Sequence, residues 1–290
     1  MKVRIGVGLG AETDPTDLSD IVDRLEAAGI DSVWLSEQVY SSAVDPFIGM
    51  AHALARTSKL KAGTSVAVLP GRHPVLVAKQ LASLAALAPK RVLPVFGLRP
   101  ARRSEWGLFE VPAGRRAAVF DESLALLRAV LSSERTEFTG EFFEVDGAYV
   151  GEARVDIWLG GAVPAAFRRI GRYGDGWLGS FLPATDAKLA REAIEAAAAA
   201  AGREIEPDHY GISLLLAEGG LSPDLLATAR SRRPDADPTD LIATSWPELQ
   251  RLLDGYQAAG LTKFVVYNRG PAPRDEFLDR FAQELLPRQT

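Results

Sequence analysis

Short apolar runs with strand character alternate with stretches of helical period from one end of the chain to the other. The runs predict strands over 3–9, 32–36, 61–68, 92–96, 156–159, 176–178, 210–216 and 263–267. In between, apolar residues return every three or four positions, as on a helix with one buried face. Strand and helix in strict alternation build a parallel sheet covered by helices. Eight such units in 290 residues, with no evident linker, predict a single-domain (β/α)8 TIM barrel spanning 1–290. Its working face would be the C-terminal ends of the strands.

Local chemistry marks the boundaries. Asp14 can cap a helix that Pro15 opens, Leu18, Ile21, Val22 and Leu25 share one face, and Gly29 ends it. Ser245 and Glu248 have capping-box spacing before Leu249, Leu252, Leu253 and Tyr256, and Gly260 closes that helix. The two units echo each other in "AAGIDSVWL" and "AAGLTKFVV".

Three stretches stand outside this plan. "TEFTGEFFEVDGAYV" reads as a hairpin inserted after the fourth helix, with Thr139-Gly140 and Asp146-Gly147 as turn signals. Residues 231–240, "SRRPDADPTD", read as a mobile surface loop. The alanine run 196–201 reads as helix propensity alone.

Composition narrows the chemistry. The chain has no cysteine, which removes disulfides, thiolate metal sites and a cysteine nucleophile, and its three histidines are scattered, against a zinc site. A net charge of −5 argues against a general nucleic-acid surface, so an anionic ligand would need a local basic patch. The opening residues lack a signal-peptide layout and no run is long enough to span a bilayer, so the expectation is a cytoplasmic protein with a small-molecule substrate.

Candidate chemistry follows each strand. "SEQVY" places Glu37 and Gln38 at the expected mouth, where a carboxylate can shuttle a proton or, salt-bridged, fix a loop. Gly63, Thr64 and Ser65 interrupt the third strand with small residues, as a bulge, a close ligand approach or a tapering interior would require. His73 reads as a loop or capping residue. "WLGGA" ends the fifth strand in Gly160, Gly161 and Ala162, either a tight turn or bare backbone facing a ligand. "RPARR" gathers Arg99, Arg102 and Arg103 in one loop, suited to phosphate or carboxylate groups. Arg168, Arg169 and Arg172 read as the solvated face of a helix. "GVGLGA", 6–11, also satisfies the G-x-G-x-x-A spacing of a dinucleotide-binding turn, but "ETDPTD" separates it from the helix start that such a fold needs.

The segments "GTSVAVLPGRHPVLVAKQLASLAALAPKRV", "FDESLALLRAVL", "GEFFEV", "IWLGGAVPAAFRRIGRYGDGW" and "SWPELQRLLDGYQAAGLTKFVV" together resemble the bacterial luciferase-like monooxygenase superfamily. Within it the likeness is to the branch using the deazaflavin coenzyme F420. The resemblance implies a TIM barrel with F420, or alternatively FMN, at the mouth, and a homodimer. It implies a cis peptide at Ser65-Val66 backing the coenzyme, and coenzyme contacts from Gly8, Ser65, Val66, Ala67, Gly97, Leu98, Arg99, Gly160, Gly161 and Ala162. Glu37 and Gln38 would meet the substrate, where relatives commonly carry an Asp-His pair.

The fourth unit departs from the pattern. "APKRVLPVFGLRP" keeps only Gly97 of a Gly-x-Gly-x-Gly run, with Val95 and Arg99 in glycine places and Pro100 where deazaflavin relatives carry glutamate. The reading that follows is hydride transfer between F420 and a small organic substrate. An FMN-dependent monooxygenase, a non-catalytic coenzyme-binding barrel and an NAD-dependent dehydrogenase are the alternatives.

Overall fold

The third strand is broken in the middle, and the break organises the molecule. The structure, a computed structural model, describes residues 2–132 and 135–290. Along the chain come β1 (Arg4–Leu9), α1 (Leu18–Ala28), β2 (Ser32–Leu35), α2 (Pro46–Arg56), β3 (Lys61–Thr64), β4 (Ala67–Val68) and α3 (Pro74–Leu87). Then follow β5 (Val92–Leu93), β6 (Val95–Gly97), α4 (Arg116–Ser132), the hairpin β7 (Thr136–Thr139) and β8 (Glu144–Ala148), β9 (Trp158–Gly160) and α5 (Pro164–Tyr173). The last part holds β10 (Gly176–Ser180), α6 (Ala184–Ala200), β11 (Tyr210–Leu216), α7 (Pro223–Arg232), β12 (Ile242–Ala243), α8 (Trp246–Ala258), β13 (Lys263–Asn268) and α9 (Arg274–Leu285).

The parallel sheet runs β4-β6-β9-β10-β11-β13-β1-β2-β3-β5, with β12 beside β11. β3 and β4 are two halves of one stave, and β5 and β6 two halves of the next. Because β3 pairs with β5 and β4 with β6, the ring closes as an eight-stave barrel, a TIM-barrel-like fold. β7 and β8 pair antiparallel as the expected hairpin. Gly6 and Gly8 lie inside β1, paired in register with β13 and β2 within the closed ring, so the glycine spacing belongs to a barrel stave and the dinucleotide fold is overturned.

Thr64 shows how the broken staves stay joined. Pro94 has no N–H to give the ladder. The Thr64 hydroxyl instead donates to the Val95 carbonyl at 2.7 Å and accepts from the Val95 N–H at 2.8 Å. Gly63 is small for a different reason, since a Cβ there would lie 2.7 Å from the Trp34 ring. Trp34 fills the barrel interior with Val95, Trp158, Leu178, Val265 and Tyr267, while a larger core packs the helices on the outer face.

Several local expectations are refined. Asp14 caps a short 3-10 turn, Pro15–Asp17, which leads into α1, and Gly29 ends α1 at φ 75°. The Ser245 cap is present, but Glu248 reaches Thr244 rather than Ser245, so the capping box is half formed. The 231–240 stretch is tied down: Arg233 pairs with Asp186 and Asp235, and Asp237 caps a 3-10 turn. Among the three helix arginines, Arg169 is buried against Phe120 and ion-paired with Asp121, not solvated.

Candidate functional site

At the mouth the chain's own side chains occupy most of the space its glycines leave. A Cβ on Gly8 would lie 2.3 Å from the Tyr267 ring. On Gly97 it would meet Val66 at 2.6 Å, and on Gly160 again Val66 at 3.1 Å. Val66 is therefore wedged against staves four and five and is half-buried. The Ser65-Val66 peptide is cis. Ala67 and Leu98 flank it, the first buried and the second half-buried. Gly161 is required by its backbone, at φ 131°, and by α5, whose Ala166 would be 2.6 Å from a Cβ. Gly8 and Gly97 thus make room for side chains where the sequence reading expected direct coenzyme contact. Gly161, Ala162 and Val163 are exposed just ahead of α5, whose Pro164 has no N–H and whose Ala166 and Phe167 N–H groups donate to the Val163 carbonyl.

Glu37 is not free. It is 7% exposed, accepts from the Val68 N–H at 2.7 Å, and forms a two-pronged ion pair with Arg72. Arg72 in turn lies over the Phe109 ring at 4.9 Å and donates to the Val68 carbonyl. Both carboxylate oxygens are engaged, so this residue fastens β4 to the loop before α3. Of the two roles the sequence left open, proton shuttle and loop fixing, the geometry favours the second. Gln38 is half-buried beside it. His73 caps α3 through Nδ1, 3.3 Å from the Val75 N–H.

The basic loop stacks on an aromatic ring. Arg99 and Arg103 lie over Trp106 at 4.7 and 5.4 Å, and Arg102 donates to the Tyr40 carbonyl at 2.9 Å. Arg116, at the start of α4, donates to the Phe109 carbonyl at 2.6 Å, while its Nη1 is buried without a partner. Burial, and then the nearby Arg99 charge, lower its pKa from the ordinary arginine value. Among the described residues no carboxylate lies within ion-pair distance of Arg99, Arg102, Arg103 or Arg116, which leaves this rim positive.

Sequence reasoning singled out Ser65 but missed the hydroxyls that surround it on the mouth floor. Ser36 donates to the Ser65 carbonyl at 3.1 Å, and the Tyr267 hydroxyl reaches the same oxygen at 3.5 Å. Ser36 and Tyr267 hydroxyls are 3.3 Å apart, and those of Ser65 and Ser213 are 3.5 Å apart. Burial raises the Tyr267 phenol above its usual value, against the pull of its bonds to Ser36 and Ser65. For the missed residues the signal was Tyr267 and Ser213 placed inside otherwise apolar strands.

Comparison with known proteins agrees with this geometry. The sequence pattern described as luciferase-like monooxygenase matches residues 1–219. An F420-dependent glucose-6-phosphate dehydrogenase of Beutenbergia cavernae is 28% identical, over 99% of this chain and 97% of that one. An F420-dependent hydroxymycolic acid dehydrogenase of Mycobacterium tuberculosis is 32% identical over 69% of this chain and 59% of its own length. A solved structure of an F420-dependent secondary alcohol dehydrogenase with an F420-acetone adduct superposes with a TM-score of 0.83 at 19% identity, covering all of both chains. The chain belongs to the luciferase-like monooxygenase family of oxidoreductases.

Proposed function

We propose that this protein is an F420-dependent oxidoreductase that moves a hydride between the deazaflavin and a small organic substrate. The observation that carries the reading is the wall formed by Val66, Gly160, Gly161 and Ala162. An apolar wedge there meets open backbone at the start of α5. A flat ring can rest against Val66, and the exposed backbone of Gly161, Ala162 and Val163 just ahead of α5 suits an anionic group. The relatives named as F420-dependent support the choice of coenzyme. The fit has one condition: Arg99 must stay against Trp106, clear of the ring's approach, as it does in this structure.

When bound, the deazaflavin supplies the hydride chemistry, and the protein supplies orientation and charge. Val66 fixes one face and the α5 start holds the anionic tail. Arg99, Arg102 and Arg103 lend a positive rim to a tail that carries phosphodiester and carboxylate groups. Glu37 is a positioning residue, acting through Arg72 and β4.

Side-by-side titration of the purified protein with F420, FMN and NADPH tests this directly. Fluorescence should report tight binding of F420 and weaker binding of FMN, with NADPH silent. Preference for FMN would reassign the protein as a flavin-dependent monooxygenase, and failure of both F420 and FMN would overturn the proposal.

A further inference from the structure

The packing of α5 on α6 is closed at one end and open at the other. Both helices follow parallel strands, so they run side by side in the same direction. Near the end of α5, Gly171 lets them meet almost backbone to backbone, since a Cβ there would lie 2.5 Å from the Ala198 nitrogen. About two turns earlier the helices have parted, and a groove of about 520 Å³ lies between them. Its walls are apolar: Pro164 and Phe167 from α5, Leu182 from the turn before α6, and Leu189 and Ala193 from α6. Contacts outside the groove hold these walls in place. Phe167 stands edge-on to Trp177 with ring centres 6.1 Å apart, and the Leu182 carbonyl accepts from the Tyr256 hydroxyl at 2.6 Å. Leu189 is 62% exposed, so the groove opens to solvent along an apolar lip. Two arginines also line it. Arg233 is already matched by Asp186 and Asp235. Arg168 is exposed, and among the described residues no carboxylate lies within ion-pair distance of it or of Arg172, one turn further along α5.

From this arrangement we infer that the groove between α5 and α6 is a second ligand site, which takes a free medium-chain aliphatic carboxylate. The head sits on Arg168 and the chain lies against Phe167, Leu182 and Leu189. A guanidinium offers a carboxylate two parallel hydrogen bonds, and an unmatched one has no competing partner to displace. A methylene chain gains in proportion to the apolar area it buries, and walls already in place spare the cost of ordering them. The volume falls within the roughly 300–1,000 Å³ of small-molecule sites. From Pro164 to the closed end at Gly171 the groove is about 10 Å long, at 1.5 Å per residue. That length suits a short chain and is too small for a partner protein, which would need to cover roughly 800 Å². The site lies in the helix layer outside the barrel, so it makes no use of the hydride chemistry at the mouth. Ala162 alone is common to its lining and to the wall proposed for the coenzyme.

The test is calorimetric titration of the full-length protein with monomeric decanoate, and with decanol as the uncharged control. Decanoate should bind one per chain, and decanol roughly fivefold more weakly, the scale of one exposed ion pair. Arg168→Gln should weaken decanoate by a similar factor and leave decanol unchanged, while Arg168→Glu, which adds repulsion, should weaken decanoate further. Ala193→Trp changes an exposed helix position, fills the groove and should abolish binding of both probes, with the thermal midpoint confirming that the variant is folded. Saturating F420 should leave the decanoate affinity within about twofold. The inference falls if wild-type protein binds no decanoate, if decanol binds as well as decanoate, or if both Arg168 variants keep wild-type affinity. Undiminished binding to Ala193→Trp would put the ligand elsewhere and overturn it. Displacement of decanoate by F420 would make the groove an extension of the coenzyme's own site and overturn it equally.

Discussion

A single residue, Glu37, illustrates why position in the sequence and role in the site diverge. It stands just past β2, where a catalytic carboxylate would stand, yet Arg72 and the Val68 N–H claim both of its oxygens. The partner lies 35 residues away along the chain, and nothing in "SEQVY" announces it. Removing one member of a buried ion pair leaves the other uncompensated, at a loss of roughly 3 kcal/mol. Glu37→Gln should therefore lower the urea midpoint strongly, and any loss of turnover should follow the loss of folded protein. A variant as stable as wild type but inactive would restore Glu37 to proton transfer. The glycines carry the same lesson. Gly160 and Gly161 were legible as special positions, but that Val66 and Ala166 fill the adjoining space depends on packing between staves and helices.

At the level of elements, the eight strands were legible because strand period, helix period and turn residues agree along the chain. Their interruptions were less so. Small residues signalled a break near 63–65, whereas the Thr64 hydroxyl bridging to Val95 is a contact between staves that one strand's sequence does not contain. The alanine run is a clearer case. Read as propensity alone, 196–201 gains a reason from α5: a Cβ on Gly171 would lie 2.5 Å from the Ala198 backbone nitrogen and 2.6 Å from Ala197. Small residues on both helices let α5 and α6 touch nearly backbone to backbone. Propensity favours alanine over glycine inside a helix by about 1 kcal/mol. Overpacking against backbone, which cannot yield, costs about 1–3 kcal/mol. Packing wins on balance, so Gly171→Ala should destabilise the protein by about 1 kcal/mol net in equilibrium denaturation. A stabilised variant would show that the helices separate freely.

The whole barrel divides its labour between its two ends. The mouth carries the hydroxyls, the basic rim and the open α5 start, while the opposite end is closed by charge. Asp31 accepts from Lys61 at 2.9 Å and Lys263 at 2.7 Å, with Arg4 at 3.6 Å. Gln289 bonds the Asp31 and Ile5 N–H groups and the Gly29 carbonyl, and Thr290 exchanges hydrogen bonds with Val3, sealing staves one and two. Burial alone would raise the Asp31 carboxyl, but Lys263 and Lys61 hold it down to about 2 from 3.8. Burial pulls Lys263 below its usual value in turn, since three cations share one carboxylate. A carboxyl whose folded pKa is lowered stabilises the fold fully above its unfolded value. That contribution, roughly 2 kcal/mol for this shift, disappears as pH falls from about 4 to 2. Protonated, Asp31 leaves Lys61, Lys263 and Arg4 facing one another across a buried seam. Acid unfolding followed by circular dichroism should therefore show a loss of stability between about pH 4 and pH 2 that Asp31→Asn reduces, because the asparagine variant, weaker at neutral pH, has one carboxyl fewer to titrate, while Glu26, also held down to about 2, still does. An acid profile unchanged by that substitution would mean that the ends of the barrel are held by packing and that the buried charge is incidental to closure.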